Sequence, residues 1–294
     1  MKNIIYILSL LVISTCFLGC DENDLSPVID ESAKPSVSAT SSVTSISESG
    51  SPTFTVTINF DKPIKTTTSF IATQIGGSAS ENDFSASSAV VPAYAKSATM
   101  DITINDDIFV EGSESVDLQI SAPGISDSYE VIGTPTVSFN IENSVSNDFI
   151  FKMDWDAIYT DSDGDEHHLC DYDFDIEIYD AADDVVAASY SSCPEEIRLS
   201  PGDLPDGDYS LTPTFWSSTG AVPPAEPINI PAILTFAKPG VALETIDLTG
   251  TWDTETGGFQ QSNPNASLFK YTLTISGSSY IVTDSDTGTI VFQG

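Results

Sequence analysis

The fold is decided by a stretch in which apolar and polar residues alternate strictly, residues 54–60, which reads FTVTINF. Successive side chains of a β-strand point to opposite faces, so its four apolar residues share one face and its polar residues share the other. The same alternation returns in three further stretches: MDITI at 100–104, VDLQI at 116–120 and VSFNI at 137–141. Half-buried strands with turns between them predict an all-β sandwich over residues 36–146.

Length and charge restrict the function classes. The chain has 294 residues, enough for about two domains, with 44 Asp and Glu against 9 Lys and Arg and a net charge of -35. Nucleic-acid binding is excluded because it needs a basic face, and attachment to anionic lipid through a polybasic patch is disfavoured. Disorder is also disfavoured, because 40% of the residues are hydrophobic.

The N-terminus predicts export and lipidation. A single lysine precedes an apolar run too short to span a bilayer, so residues 1–19 are expected to be a signal peptide. The ending Phe17-Leu18-Gly19-Cys20 resembles a bacterial lipobox, which implies a lipid anchor at Cys20. An acidic stretch follows and resembles the export signal of some surface lipoproteins, with residues 20–35 as a flexible tether. We therefore expect anchorage to the outer membrane and exposure on the cell surface; secretion without an anchor is the alternative.

Three motifs in the first domain carry a family resemblance. They are SESG at 47–50, GSASENDF at 77–84 and INDDIFVEGSE at 104–114. In this order and spacing they resemble Calx-β domains. The resemblance implies a seven-stranded, immunoglobulin-like sandwich, and calcium-binding members of that family place their ions at one end.

The same resemblance implies a set of calcium ligands, namely Glu48, Asp83, Asp106, Asp107, the backbone carbonyl of Ile108, Glu111 and Glu142. Calcium takes six to eight oxygen ligands, and carboxylates from separate loops can surround it. The alternative is a structural sandwich whose acidic end is simply solvated.

The acidic residues are concentrated in the second half, residues 147–294. Residues 154–184 hold 13 acidic side chains and no lysine or arginine. Among them, Asp161, Asp163 and Asp165 alternate through a glycine turn, as oxygen-ligand calcium loops do. The loop is not an EF-hand, since its glycine stands at the fourth position instead of the sixth.

The next stretch, DYDFDIEI at 171–178, predicts a strand with one apolar face and a row of four carboxylates on the other. Same-face neighbours on a strand are about 7 Å apart, so each pair repels by roughly 0.6 kcal/mol in water and several times more near a low-dielectric surface. A solvent-exposed row is therefore tolerable, whereas a covered row requires a cation.

This region also resembles bacterial pre-peptidase C-terminal domains, in the acidic strand at 173–180 and in LPDGDY at 204–209. The resemblance implies a second β-sandwich, jelly-roll-like, in tandem with the first. Further strands are predicted within 228–236, 270–275, 280–282 and 289–292. Residues 238–294 either complete this sandwich or form a small third unit.

Cysteine usage fits an oxidising compartment. Cys16 leaves with the signal peptide and Cys20 is expected to be lipidated, which leaves Cys170 and Cys193 to form a disulfide. A metal site is the weaker alternative, because further ligands at metal-binding spacing are missing.

No catalytic motif emerges, so we predict a protein without enzymatic activity. The leading hypothesis is a lipid-anchored surface protein that acts as a calcium-binding adhesion or interaction module, with an unidentified protein or glycan partner. One alternative is a glycan-binding accessory lipoprotein of a polysaccharide uptake system, with Trp216 and Trp252 as sugar-stacking platforms. Another is a passive stalk whose charge supplies only solubility.

Overall fold

A computed structural model describes residues 34–123, 131 and 133–294. The predicted signal peptide, Cys20 and the tether as far as residue 33 lie outside the described residues. The described chain forms two β-sandwiches in tandem and contains no α-helix, which confirms the all-β prediction. Within that part, no helical segment has the length and apolar character needed to cross a membrane.

The first sandwich has nine strands in its described part: β1 (Val37–Ser41), β2 (Ser45–Ser47), β3 (Thr53–Phe60), β4 (Thr68–Gly77), β5 (Phe84–Ala86), β6 (Ala89–Val91), β7 (Ser97–Ile104), β8 (Ser113–Ser121) and β9 (Thr136–Glu142). Its sheets have the orders β1-β3-β7-β5 and β2-β9-β8-β4-β6. One edge segment of the chain passes from the first sheet, as β1, to the second sheet, as β2, and another does the same as β5 and β6. Counted as continuous segments, the nine strands are therefore seven. Strands that change sheets in this way are typical of sandwich corners.

The core of the first sandwich consists of the alternating residues that predicted it. Val56 and Ile58 on β3, Met100 and Ile102 on β7, and Val116 on β8 are fully buried. They join one continuous apolar cluster between the two sheets. The period-two pattern therefore placed these strands and their faces correctly.

The second sandwich has twelve strands in its described part: β10 (Phe149–Asp154), β11 (Ile158–Thr160), β12 (Glu166–His168), β13 (Asp173–Tyr179), β14 (Val185–Ser189), β15 (Glu195–Leu199), β16 (Gly207–Ser217), β17 (Ile233–Lys238), β18 (Ala242–Asp247), β19 (Tyr271–Ser276), β20 (Ser279–Asp284) and β21 (Thr289–Gln293). Sheets β15-β10-β17-β18 and β14-β13-β16-β19-β20-β21 face each other, with β11-β12 as a separate hairpin. The chain after residue 238 contributes to both large sheets, so it completes this sandwich.

Aromatic side chains dominate the second core. Phe174 stacks on Phe215 with ring centroids 4.7 Å apart, and Trp155 and Trp252 pack against Phe174 at 4.9 and 5.3 Å. The Trp252 indole is 2% exposed and donates hydrogen bonds to two backbone carbonyls of the 265–266 segment. A buried indole cannot stack on a surface sugar, so the prediction of a sugar platform at Trp252 is wrong. Trp216 is half-buried and stacks on the exposed Phe259.

The predicted disulfide is present. Cys170 and Cys193 are bonded with their Cα atoms 5.6 Å apart. The bond ties the 3₁₀ turn Leu169–Asp171, just before β13, to the loop between β14 and β15. It therefore crosslinks the acidic strand to the segment that changes from one sheet to the other.

We predict that the double substitution Cys170→Ala/Cys193→Ala lowers the free energy of unfolding of the second sandwich by about 3 kcal/mol, because the open loop gains chain entropy in the unfolded state. Urea unfolding monitored by tryptophan fluorescence measures this loss of stability, since all three tryptophans lie in the second domain. A reductant should shift the wild type by a similar amount and leave the double variant unchanged. Equal stability of variant and wild type would contradict the prediction.

Candidate metal centre

Five carboxylates converge at one end of the first sandwich. Glu48 follows β2, Asp83 precedes β5, Asp107 and Glu111 lie in the β7–β8 loop, and Glu114 is the second residue of β8. They form two groups, Glu48–Asp107–Glu111 and Asp83–Glu111–Glu114, and within each group one oxygen per residue lies within 4.8 Å of the others. Glu111 belongs to both groups, so the two sites share a ligand.

Backbone hydrogen bonds fix the loops around this centre. The Gly50 N–H donates to Asp106 Oδ2 at 2.9 Å and the Asp106 N–H donates to Ser51 Oγ at 3.2 Å, which joins the β2–β3 turn to the β7–β8 loop. The Phe109 N–H donates to Asp107 Oδ1 at 2.8 Å and closes the next turn. The loops are therefore held together before any ligand binds.

Two of the five carboxylates are almost completely buried. Glu48 is 2% exposed and accepts a hydrogen bond from the Ser144 N–H, and the Asn143 amide nitrogen, turned toward Glu48, donates to its Oε1 at 2.9 Å. Asp83 is 3% exposed and accepts hydrogen bonds from the N–H and the hydroxyl of Ser80. These donors are uncharged, so they reduce the cost of burial without neutralising the carboxylates.

Burial and crowding raise the pKa values of several carboxylates in this centre. Burial, followed by repulsion from neighbouring carboxylates, raises the pKa of Asp107 and of Glu111. Burial also raises the pKa of Glu48, against the lowering effect of the Ser144 N–H. The pKa of Glu114 is raised to about 7 by burial, by its hydrogen bond with Asp83 and by repulsion. A centre that takes up protons near neutral pH is one that a metal cation would stabilise.

Four of the seven residues implied by the family resemblance are gathered here: Glu48, Asp83, Asp107 and Glu111. The other three are outside both groups. Asp106 is engaged with Gly50, Glu142 Oε1 accepts a hydrogen bond from the Ser45 hydroxyl at 2.8 Å, and Ile108 lies between Asp107 and Phe109 in the same loop.

Glu114 is a ligand candidate that sequence reasoning missed. It stands at even spacing before Val116 and Leu118, the inward residues of β8, and is itself half-buried. The period-two pattern therefore placed its carboxylate on the inner face, at the end of the sandwich where the loops meet. The even spacing of Glu114 from Val116 and Leu118 is the feature of the sequence that predicts its inward position.

The predicted calcium loop of the second domain is not assembled as a ligand set. Asp161 Oδ1 accepts the N–H groups of Asp163 and Asp165, each at 2.9 Å, and Asp161 Oδ2 lies 3.1 Å from His167 Nε2. These contacts lower the pKa of Asp161. Asp163 and Asp165 are exposed, and among the described residues the three carboxylates do not group. Asp161 instead caps the turn of the β11–β12 hairpin, so the structure does not gather the three predicted ligands.

The five-carboxylate centre lies at the junction of the two domains. An open cleft of about 510 Å³ is lined by residues 109–111 of the β7–β8 loop and by residues 241–244 after β17. Gly240 has φ +68°, and a Cβ there would stand 2.1 Å from the Ser144 carbonyl oxygen. Ser144 is also the residue whose N–H binds Glu48, so the linker contacts both the centre and the second domain.

The known proteins found similar to this chain are solved structures of low sequence identity. No protein-family model matches the chain and no curated protein is significantly similar. Similar solved structures include CBD12 from CALX1.2 (12% identity, TM-score 0.31, covering 62% of this chain and 79% of that one). Others are calcium binding domain CBD12 of CALX1.1 (10%, 0.28, 57% and 76%) and a two-domain protein of unknown function from Bacteroides fragilis (8%, 0.30, 56% and 88%). Similarities of this size carry no conclusion about function.

We predict that, in a chelating buffer, the first sandwich loses stability as the pH rises. Folded Glu114 has a pKa of about 7 against 4.5 for an unperturbed glutamate, so the folded state binds its proton more tightly. This contribution is complete below about pH 4.5 and is lost as the pH rises through about 7. Calorimetry from pH 4.5 to 8 measures the effect.

The variant Glu114→Gln cannot ionise and should lose less stability over that range. Glu81→Gln is the matched control, because Glu81 is exposed in the neighbouring turn and belongs to neither group. A pH profile that Glu114→Gln leaves unchanged would show that Glu114 does not carry the effect.

Proposed function

We propose that the first sandwich is a calcium-binding module whose ions are held by Glu48, Asp83, Asp107, Glu111 and Glu114. The observation that carries this proposal is the pair of overlapping three-carboxylate groups at the domain junction. The neighbours that raise the pKa values of Asp107 and Glu111 are themselves carboxylates, so the centre has a demand for positive charge that its own groups leave unmet.

The ligand chemistry favours calcium over other metals. All the grouped donors are carboxylate oxygens, which suit hard cations, and neither group includes histidine or cysteine. Calcium–oxygen distances of about 2.3–2.6 Å place ligands on opposite sides of the ion about 5 Å apart, which matches the spacing within each group. Magnesium binds at about 2.0–2.1 Å and would need a tighter set. The exposure of Glu111 gives an ion access from solvent.

We further propose that the protein is a non-catalytic adhesion or interaction module, anchored to the outer membrane through Cys20 and exposed on the cell surface. Support comes from the lipobox-like sequence before Cys20, the absence of a catalytic motif in the sequence and the strongly acidic composition. The composition also supports a partner other than nucleic acid. The partner is then an extracellular protein or glycan.

We predict that calcium raises the unfolding temperature of the first sandwich. At 100 times its dissociation constant, a ligand that binds only the folded state stabilises it by about 2.7 kcal/mol. Calorimetry with calcium, magnesium and chelator measures the shift. Glu111→Gln should abolish most of it, because Glu111 is shared by both groups.

Two matched controls test the assignment of ligands. Glu142→Gln alters a carboxylate at the same end of the sandwich, and Asp161→Asn alters the hairpin of the second domain; both lie outside the groups. Both variants should retain the calcium shift. An unchanged wild-type midpoint would exclude the calcium module, and a shift lost in Asp161→Asn would move the site to the second domain.

The anchor is tested separately. We predict that metabolic labelling with palmitate tags the wild-type chain and not Cys20→Ala, and that a protease added to intact cells removes the wild-type protein. Cys193→Ala is the matched control, because it alters a cysteine outside the predicted lipobox. Membrane-bound but unlabelled protein would contradict lipidation at Cys20, and protection from protease would contradict surface exposure.

A further inference from the structure

The outer face of β13 carries a row of carboxylates that the calcium proposal does not use. Asp173, Asp175 and Glu177 alternate with the core residues of this strand, as the sequence predicted, whereas Asp171, the fourth member of the predicted row, lies in the 3₁₀ turn before the strand. The row is covered at its middle: Asp175 is 7% exposed, Asp173 and Glu177 are half-buried, and the charge of the fully buried Glu195, the first residue of β15, acts on Asp175. A covered row of like charges needs positive charge from another source.

The members of this row differ in their hydrogen bonds. Glu195 accepts bonds from the Ser189 hydroxyl and the Ser192 N–H. Glu177 accepts bonds from the phenols of Tyr179 and Tyr190, the latter at 2.7 Å. Asp175 has no hydrogen-bond donor among the described residues. Burial, followed by the charges of Asp173, Glu195 and Glu177, raises its pKa to about 7.

An independent observation points to a ligand at the same place. Thr212 is fully buried, and among the described residues its hydroxyl is the buried side-chain group without a hydrogen-bond partner. It pairs directly with Glu177 across β13 and β16, and its side chain leaves the same face of the sheet. A buried hydroxyl without a partner is costly, so this face has an unfilled place for a polar group.

Aromatic rings border the row. The rings of Tyr179 and Phe269 lie 6.4 Å apart, Phe269 is 70% exposed, and Tyr190 is 52% exposed. The two phenols hold Glu177 in place, and about half of Tyr190 is open to solvent. Aromatic faces attract organic cations.

A single metal ion does not suit this geometry. Among the described residues, groups of three ligand oxygens within 4.8 Å of one another occur in the first sandwich and not along this row. A cation with several N–H donors spread over its own framework can instead bridge carboxylates that stand further apart.

The basic side chains of the second domain are engaged elsewhere. Lys152 pairs with Asp154, Arg198 with Asp148 and Glu196, and Lys270 with Asp284, while Lys238 donates to the Ser278 carbonyl. The positive charge required by the row is therefore not supplied by this domain.

We propose that the outer face of β13 and β16 binds the guanidinium or primary ammonium group of a basic ligand. Asp175 and Glu177 are its charge partners, the Thr212 hydroxyl accepts one of its N–H groups, and Tyr179, Tyr190 and Phe269 surround its alkyl chain. The same chemistry is offered by a free polyamine-like compound or by an arginine or lysine side chain of a peptide. This site is independent of the calcium module.

The test is a titration of the intact protein at pH 8, monitored by the NMR chemical shifts of its backbone amides. The probes are agmatine and the peptide acetyl-Gly-Arg-Gly-amide, and the matched neutral probe is the same peptide with citrulline. Both charged probes should give saturable shifts on β13 and β16, and the citrulline peptide should give none. Tighter binding of agmatine assigns a free amine as the ligand type, and tighter binding of the peptide assigns a protein side chain.

Variants connect binding to the named residues. Asp175→Asn and Thr212→Val should each weaken binding by at least about tenfold. Asp183→Asn, an exposed residue in the turn after β13, is the matched control and should bind like the wild type. Asp175→Asn should also make the ligand-free domain more stable at pH 8, because it removes a buried charge, so lost binding cannot be attributed to unfolding.

The outcomes that overturn the proposal are distinct. They are failure of both charged probes to bind at millimolar concentration, equal binding of the citrulline peptide, and unchanged binding by Asp175→Asn. Shifts on β13 caused by calcium chloride alone and lost in Asp175→Asn would identify a metal site instead. Because Glu111→Gln leaves this face intact, failure here and failure of the calcium module are distinguishable.

Discussion

Burial of carboxylates without a matching cation is the constraint on which the functional surfaces of this protein depend. Nine basic side chains cannot neutralise 44 acidic ones, and most of the acids remain in water, where mutual repulsion is weak. The cost concentrates where folding covers a carboxylate, as at Glu48, Asp83, Asp175 and Glu195. Each of these groups must be met by neutral hydrogen-bond donors, by a proton or by a cation from solution.

At Glu195 and at Asp83 neutral donors meet the demand, since a hydroxyl and a backbone N–H donate to each buried carboxylate. At Glu48 the donors come from the linker, and the linker is held against Gly240 of the second domain. Glycine is required there because its positive φ and the 2.1 Å approach of a Cβ to the Ser144 carbonyl exclude a larger residue. The packing of the domain junction and the electrostatics of the five-carboxylate centre are therefore parts of one arrangement.

The sequence predicts strands and their buried faces well, because these depend on the local alternation of apolar and polar residues. It predicts the burial of individual surface positions poorly, because that depends on which distant segment packs over them. Alternation at 54–60 and at 171–178 predicted the strands and their buried faces. The same alternation contains the inward position of Glu114, but alternation alone does not distinguish a metal ligand from a carboxylate at a solvated strand end. Asp161 shows the limit of composition, since an aspartate that caps its own turn and one that binds calcium occupy similar sequences.

The burial of Asp175 in the β13 row could not be predicted from the local sequence pattern for the same reason. Asp175 is 7% exposed on a sheet face that looks solvent-exposed in the sequence, and two of the residues that act on its charge, Tyr190 and Glu195, come from 15 and 20 residues later in the chain. Local pattern likewise leaves a core role and a surface role for Trp252 open, and tertiary packing decides for the core.

Two places in the chain thus have the same electrostatic demand and different geometry. Glu114 and Asp175 each have a pKa raised to about 7, largely by burial, so charge alone does not distinguish their ligands. Spacing does. Around Glu114, oxygens from separate loops lie within the diameter of one coordination shell, which suits a divalent ion. Around Asp175, the acceptors are spread along a strand and bordered by aromatic rings, and an extended cation with several N–H donors satisfies them better than a compact ion can.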